Sequence, residues 1–197
     1  MRTLYTFTTI LITACLMQTG HAQEIKFGPR VGLNFSTFTG GDANNFGLKS
    51  GVHVGGFASR SITDRISVQP ELLLSMKGAS RKTNGYTYSQ TLYYLDIPLF
   101  CGIGFSDNLR ALFGLQPSVF LEGKNKVKDP AKEKMFSDAR SIRGFDLAIA
   151  AGLEYQMEMG LNFGARINYG FLNVSKVQNY SVNNLSFQAT VGYTIGK

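Results

Sequence analysis

The side chains able to do chemistry in this chain are few and scattered. His53 is the one histidine beyond the first 22 residues. Hydrolysis would need it as a base, with a nucleophile on one side and an orienting acid on the other. No serine stands in a recognisable motif with it, so no catalytic residue is assigned and the chain does not read as an enzyme. A lone His53 and a lone Cys101 are too few donors for a zinc set, and no metal or cofactor is expected. Arg30, Glu71, Asp96, Glu154 and Arg166 carry a different signal, because they interrupt stretches that are otherwise apolar or small. Charges of both signs placed so sparsely suit pairing inside a narrow interior, where an unpaired charge is strongly unfavourable. The segment 122–143 gathers Lys124, Lys126, Lys128, Lys132 and Lys134 with Arg140 and Arg143, seven cations against four anions, a net of +3. It reads either as a patch that seeks phosphate or another acidic ligand, or as a solvated loop.

These residues are positioned by a period-two pattern that begins at Lys26. In the first segment Phe27, Val31, Leu33 and Phe35 alternate with Gly28, Arg30, Gly32 and Asn34. Apolar stripes on alternate positions recur at 52–58, 66–76, 93–105, 109–121, 145–157, 161–171 and 185–195, eight in all, and none of their positions is charged although 17% of the chain is. The opposite parity holds small residues, such as Gly55, Gly102, Gly114, Gly152 and Gly164, together with the sparse charges. A greasy outside and a crowded, mixed-charge inside predict an eight-stranded antiparallel up-and-down transmembrane β-barrel, with strands long enough to cross a bilayer at a tilt of about 45°. Closure is required because an open edge in hydrocarbon would leave backbone groups unpaired. Counting from the short turns puts His53, Glu71, Asp96 and Arg166 near mid-height, Arg30 close by and Glu154 nearer the turns. Arg30 and Arg166 are then expected to pair with Glu71, Asp96 or Glu154 as a plug. Pro29, Pro70, Pro98 and Pro117 each remove a ladder donor, and bulges or barrel ends are expected to absorb them.

Short connections at 61–64, 106–108 and 158–160 alternate with long polar ones near 38–47, 78–88, 122–143 and 172–183. Barrels of the outer membrane have short periplasmic turns and long external loops, which predicts periplasmic termini. Asn84-Gly85 predicts a hairpin that carries two strands beyond the membrane. Phe27, Phe105, Tyr155 and Tyr193 at one end, and Tyr93, Phe145, Tyr169 and Phe171 at the other, suit interfacial girdles. Residues 1–22 read as a cleavable signal peptide, apolar from Leu4 to Met17 and closed by Gly20-His21-Ala22, ahead of a barrel domain at 23–197. A lipobox-like Ile12-Thr13-Ala14-Cys15 offers lipidation at Cys15 instead. Loss of the signal lowers the formal charge from +7 to +6 and leaves Cys101 alone, so no internal disulfide is expected.

Several stretches resemble the PorT-like outer-membrane β-barrel proteins of the Bacteroidetes: Gly32-Leu33-Asn34-Phe35-Ser36, Gln69-Pro70-Glu71-Leu72-Leu73 running to Lys77-Gly78, and Tyr94-Leu95-Asp96-Ile97-Pro98-Leu99. Gly152-Leu153-Glu154-Tyr155 and Val191-Gly192-Tyr193-Thr194-Ile195 are similar too. The resemblance spans the mature chain and makes Pro70 and Pro98 group traits. It implies a fold and a location more than a task, with a link to secretion and gliding machinery in the protein that names the group. Three functions remain: a structural or interaction protein, a small pore, and an embedded lipid-modifying enzyme. Eight strands enclose a space that side chains can fill, which favours the first. The expected partners are outer-membrane lipid or lipopolysaccharide phosphates, and proteins met through the long loops. Nucleic acid is not expected in an exported monomer.

Overall fold

The computed structural model describes residues 25–43, 46–83, 86–128, 133–137, 141–177 and 181–195. The signal segment 1–22 with Cys15, the Asn84-Gly85 turn and Lys132 lie outside them. The strands are β1 (Ile25–Thr39), β2 (Lys49–Ser61), β3 (Ile66–Thr83), β4 (Tyr86–Asp96), β5 (Leu99–Gly104), β6 (Leu109–Lys128), β7 (Glu133–Ser137), β8 (Phe145–Gln156), β9 (Leu161–Gly170) and β10 (Asn183–Tyr193). All pairings are antiparallel, in the order β2, β1, β10, β9, β8, β6, β4 and β3, and β2 pairs β3 to close the ring. Following paired residues once around, from β1 through β10 to β2, returns to β1 about ten residues nearer its start. That stagger is what tilts the strands of a closed barrel by about 35–45°.

The wall is inside out relative to a water-soluble protein. Leu33, Val54, Leu74, Leu115, Ile149 and Val191 are exposed on the outer face, while Asn34, Gln69, Gln116 and Asn162 are fully buried inside. Period-two alternation produces this directly, since successive side chains of a strand point to opposite faces. Of the girdle residues, Phe27, Phe105, Tyr155, Tyr193, Phe145, Tyr169 and Phe171 are exposed, while Tyr93 is half-buried.

Two expectations change. The expected fourth strand is two strands, β4 and β5, separated by Ile97 and Pro98. Pro98 has no N–H to give, so one ladder bond is missing there, but the register carries through: Ile97 N donates to the Pro117 carbonyl (2.9 Å) and Glu71 N to the Pro98 carbonyl (2.8 Å), the partners that the pairings on either side require. The segment 122–143, expected as loop, contains the end of β6 and all of β7. The reason is that Lys124, Lys126 and Lys128 alternate with Gly123, Asn125 and Val127, so the strand period continues past the lipid-facing stripe. β3, β4, β6 and β7 therefore rise beyond the ring as a ribbon at the loop end. The short turns and the first and last described residues, Ile25 and Ile195, mark the opposite, turn end.

Candidate functional site

The side chains that could act are those of the lumen, and each is carried inward by strand parity. Around Arg30 of β1 stand Glu71 of β3, Glu154 of β8 and Arg166 of β9. Arg30 Nη1 donates to Glu71 Oε1, and its Nη2 donates to Glu154 Oε2 (2.5 Å) and Asn162 Oδ1 (2.9 Å). Arg166 grips Glu71 through both terminal nitrogens, Nη1 to Oε2 and Nη2 to Oε1, each at 2.7 Å, and lies 3.5 Å from Glu154 Oε2. Bidentate pairing of this kind is the strongest arrangement open to a guanidinium and a carboxylate. Phe57 and Phe100 complete the layer, with the Arg30 and Arg166 guanidiniums 4.4 and 4.5 Å from their ring centres. The four ionic side chains have no solvent exposure.

Asp96 and His53 do not join this network. Asp96 Oδ1 accepts from Lys77 Nζ at 2.8 Å, and Lys77 also reaches Ser118 (3.4 Å) and the face of Tyr94 (5.0 Å). The expected pairing of Asp96 with an arginine is thus replaced by one with lysine, because Asp96 is the β4 partner of Leu73 and Lys77 lies further along that same neighbouring strand, β3. His53 Nδ1 is 2.7 Å from Asn34 Oδ1. Asn34 Nδ2 donates to the Val52 and Met76 carbonyls, which leaves Oδ1 as acceptor and makes His53 Nδ1 the donor. Among the described residues no nucleophile is bonded to His53 and no group of metal-binding side chains forms.

Besides Asn162, three members were missed at the level of sequence. Arg110 of β6 donates from Nε to Glu154 Oε1 (3.0 Å) and from Nη2 to the same oxygen, and reaches Gln69 Oε1 at 2.9 Å. Gln69 in turn donates to Glu71 Oε1 at 2.8 Å. Parity turns Arg110, Gln69 and Lys77 inward and could have found all three. Nearer the loop end the lumen is closed a second time by an apolar cap, in which Phe38, Leu92, Tyr94, Ile142, Val174 and Val182 are buried together. Of the basic segment, Lys124 pairs with Glu122 (3.3 Å) and lies 5.3 Å from the ring centre of Tyr93. Lys126 and Lys128 follow on the same strand, and Lys134 falls in β7.

A closed antiparallel ring, apolar outside and ion-paired inside, is the architecture of a transmembrane β-barrel. The chain belongs to the outer membrane protein beta-barrel domain family, which matches residues 21–176. Its fold is similar to that of Ail, the attachment invasion locus protein of Yersinia pestis, whose structure in complex with the heparin analogue sucrose octasulfate has a TM-score of 0.51 at 14% identity and covers 87% of this chain and 99% of that one. It is similar also to Neisserial surface protein A, with a TM-score of 0.53 at 12% identity over 86% of this chain and 97% of that one. No curated protein sequence matches the chain.

Proposed function

We propose that the protein is a structural and interaction component of the outer membrane, a monomeric barrel whose filled lumen passes nothing. Its turn end and both termini face the periplasm, and its loop-end ribbon faces outward to partners. The observation that carries this reading is the double closure of the lumen, once by the network of Arg30, Glu71, Glu154 and Arg166 and once by the apolar cap. A barrel closed twice has its surface to work with, and the ribbon is the part of that surface lying beyond the lipid-facing stripes. There Lys124, Lys126 and Lys128 offer phosphate-seeking charge to lipopolysaccharide or an acidic ligand. The complex of Ail with a sulfated sugar is a precedent for a barrel of this fold meeting a polyanion.

The test has two arms. In planar bilayers the refolded protein is expected to show no discrete single-channel openings, and stepwise conductance would make it a pore. Pull-down from native outer membranes should recover a partner that is lost when Lys124, Lys126 and Lys128 are replaced together by Glu. Recovery of secretion or gliding components would place the chain with the PorT-like group, and recovery that ignores the triple substitution would remove the ribbon from the reading.

A further inference from the structure

At the turn end the lumen opens into a vestibule of about 460 Å³ whose lining includes Lys26, Ser59, Arg65, Ser67 and Arg110. Directly behind it lies the ion network, and that network is unbalanced. It contains three guanidiniums, Arg30, Arg110 and Arg166, and two carboxylates, Glu71 and Glu154. All four carboxylate oxygens already accept from arginine: Glu71 Oε1 and Oε2 from Arg166, and Glu154 Oε1 and Oε2 from Arg110 and Arg30. Neither acid can neutralise a further cation.

The surplus charge surfaces at one place. Arg30 and Arg166 are sealed from solvent, whereas the Arg110 side chain is 21% exposed. Arg110 Nε and Nη2 are taken by Glu154 and Gln69, but among the described residues Nη1 meets only Ser59 Oγ, at 3.4 Å. The other charges lining the vestibule, Lys26 and Arg65 against Asp64 and Asp107, cancel one another. Gly102 leaves room for the Ser67 hydroxyl near Arg110: a β-carbon there would fall 2.4 Å from Ser67 Oγ, 3.3 Å from Leu112 Cδ2 and 3.7 Å from Arg110 Cδ.

We propose that this vestibule is a binding site for one oxyanion, a phosphate or carboxylate group, held by Arg110 Nη1 with the hydroxyls of Ser59 and Ser67 as further donors. The anion supplies the charge that the network lacks, which is the condition under which a partly buried guanidinium is stable. Two sources carry this chemistry into a periplasm-facing mouth, free phosphate and the carboxylates of cell-wall peptides. Only the choice of source rests on the orientation proposed above.

The test uses full-length mature protein refolded in a phosphate-free, uncharged detergent at constant chloride, titrated calorimetrically with inorganic phosphate, acetate and a short muramyl peptide. One saturable site is expected, with dissociation constants in the millimolar range for the small anions. Arg110→Gln balances the network at two charges of each sign, so the barrel is expected to fold while phosphate binding weakens at least tenfold. Gly102→Ala leaves Arg110 in place, displaces the Ser67 hydroxyl and should weaken binding as well, which keeps the idea testable if Arg110→Gln does not fold. Lys176→Gln, at an exposed lysine outside both the vestibule and the ribbon, should change nothing. Muramyl peptide binding at least tenfold tighter than acetate marks a cell-wall source, and comparable affinities mark a free anion. Absence of saturable binding, or binding that survives both vestibule substitutions, overturns the proposal. Because the readout is made in detergent and at the turn end, failure here leaves the loop-end function standing, and the reverse holds too.

Discussion

Removing the Glu71 carboxylate should destabilise the barrel more than most single changes. In Glu71→Ala, Arg30 loses one of its two carboxylate partners and Arg166 loses its bidentate one, keeping only Glu154 at 3.5 Å. The network charge, Arg110 included, rises from +1 to +2, and the two arginines that lose Glu71 have no solvent exposure. Breaking a buried pair by deleting one partner costs about 3–5 kcal/mol, most of it from the charge left behind. Deleting Arg166 as well removes that orphan, so Glu71→Ala/Arg166→Ala should be less unstable than the two single changes added together, by about 1–3 kcal/mol. The chain has no tryptophan, so unfolding in urea from lipid vesicles is best followed by far-ultraviolet circular dichroism, or by the mobility difference between folded and boiled protein on gels. A coupling below about 0.5 kcal/mol, the limit at which independent sites add, would refute the claim that these residues act as a unit.

Leu115 is exposed on the lipid face of β6, and Leu115→Arg should cost about 2–4 kcal/mol in vesicles; the inward neighbour Gln116→Asn should cost under about 1 kcal/mol, and equal effects would reverse the assigned faces. Gly28→Val should block assembly, since a β-carbon at Gly28 would lie 1.7 Å from the Tyr193 carbonyl oxygen across the β1–β10 seam, and normal yields of folded protein would contradict that closure. The mature wild type should run as a heat-modifiable monomer in detergent, and a helical circular dichroism spectrum would sink the barrel.

Parity decides which face a side chain takes, and for the strands of the ring it could be read from the sequence. Arg30 and Glu71 turn inward because Val31 and Leu72 turn outward, and no tertiary information is needed. Parity says nothing, however, about which inward residues meet across the lumen. That depends on the stagger accumulated around the ring, a property of all the pairings together. Asp96 was therefore expected beside an arginine, while its register partner is Leu73 and the long Lys77 side chain reaches it from further along that adjacent strand. Arg110 escaped notice because it lies one residue from the start of β6, where a charge is expected to reach water. The missing donor at Pro98 was legible, but that Ile97 and the Pro98 carbonyl keep their in-register partners on β6 and β3 was not, because this depends on the register of neighbouring strands.

Alternation also hides the membrane-seeking surface from anything that reads the chain in a line. Leu33 and Phe35 are followed by Asn34 and Ser36, Ile167 and Tyr169 by Asn168 and Gly170, so side chains that are continuous on the barrel wall are never continuous along the backbone. The mean hydropathy is -0.03. A translocation channel that diverts segments of about 20 apolar residues into lipid finds no such segment after the first 22 residues. The polypeptide can thus traverse one bilayer as a polar thread. It acquires affinity for the next only when its strands pair, which makes membrane insertion and folding a single event.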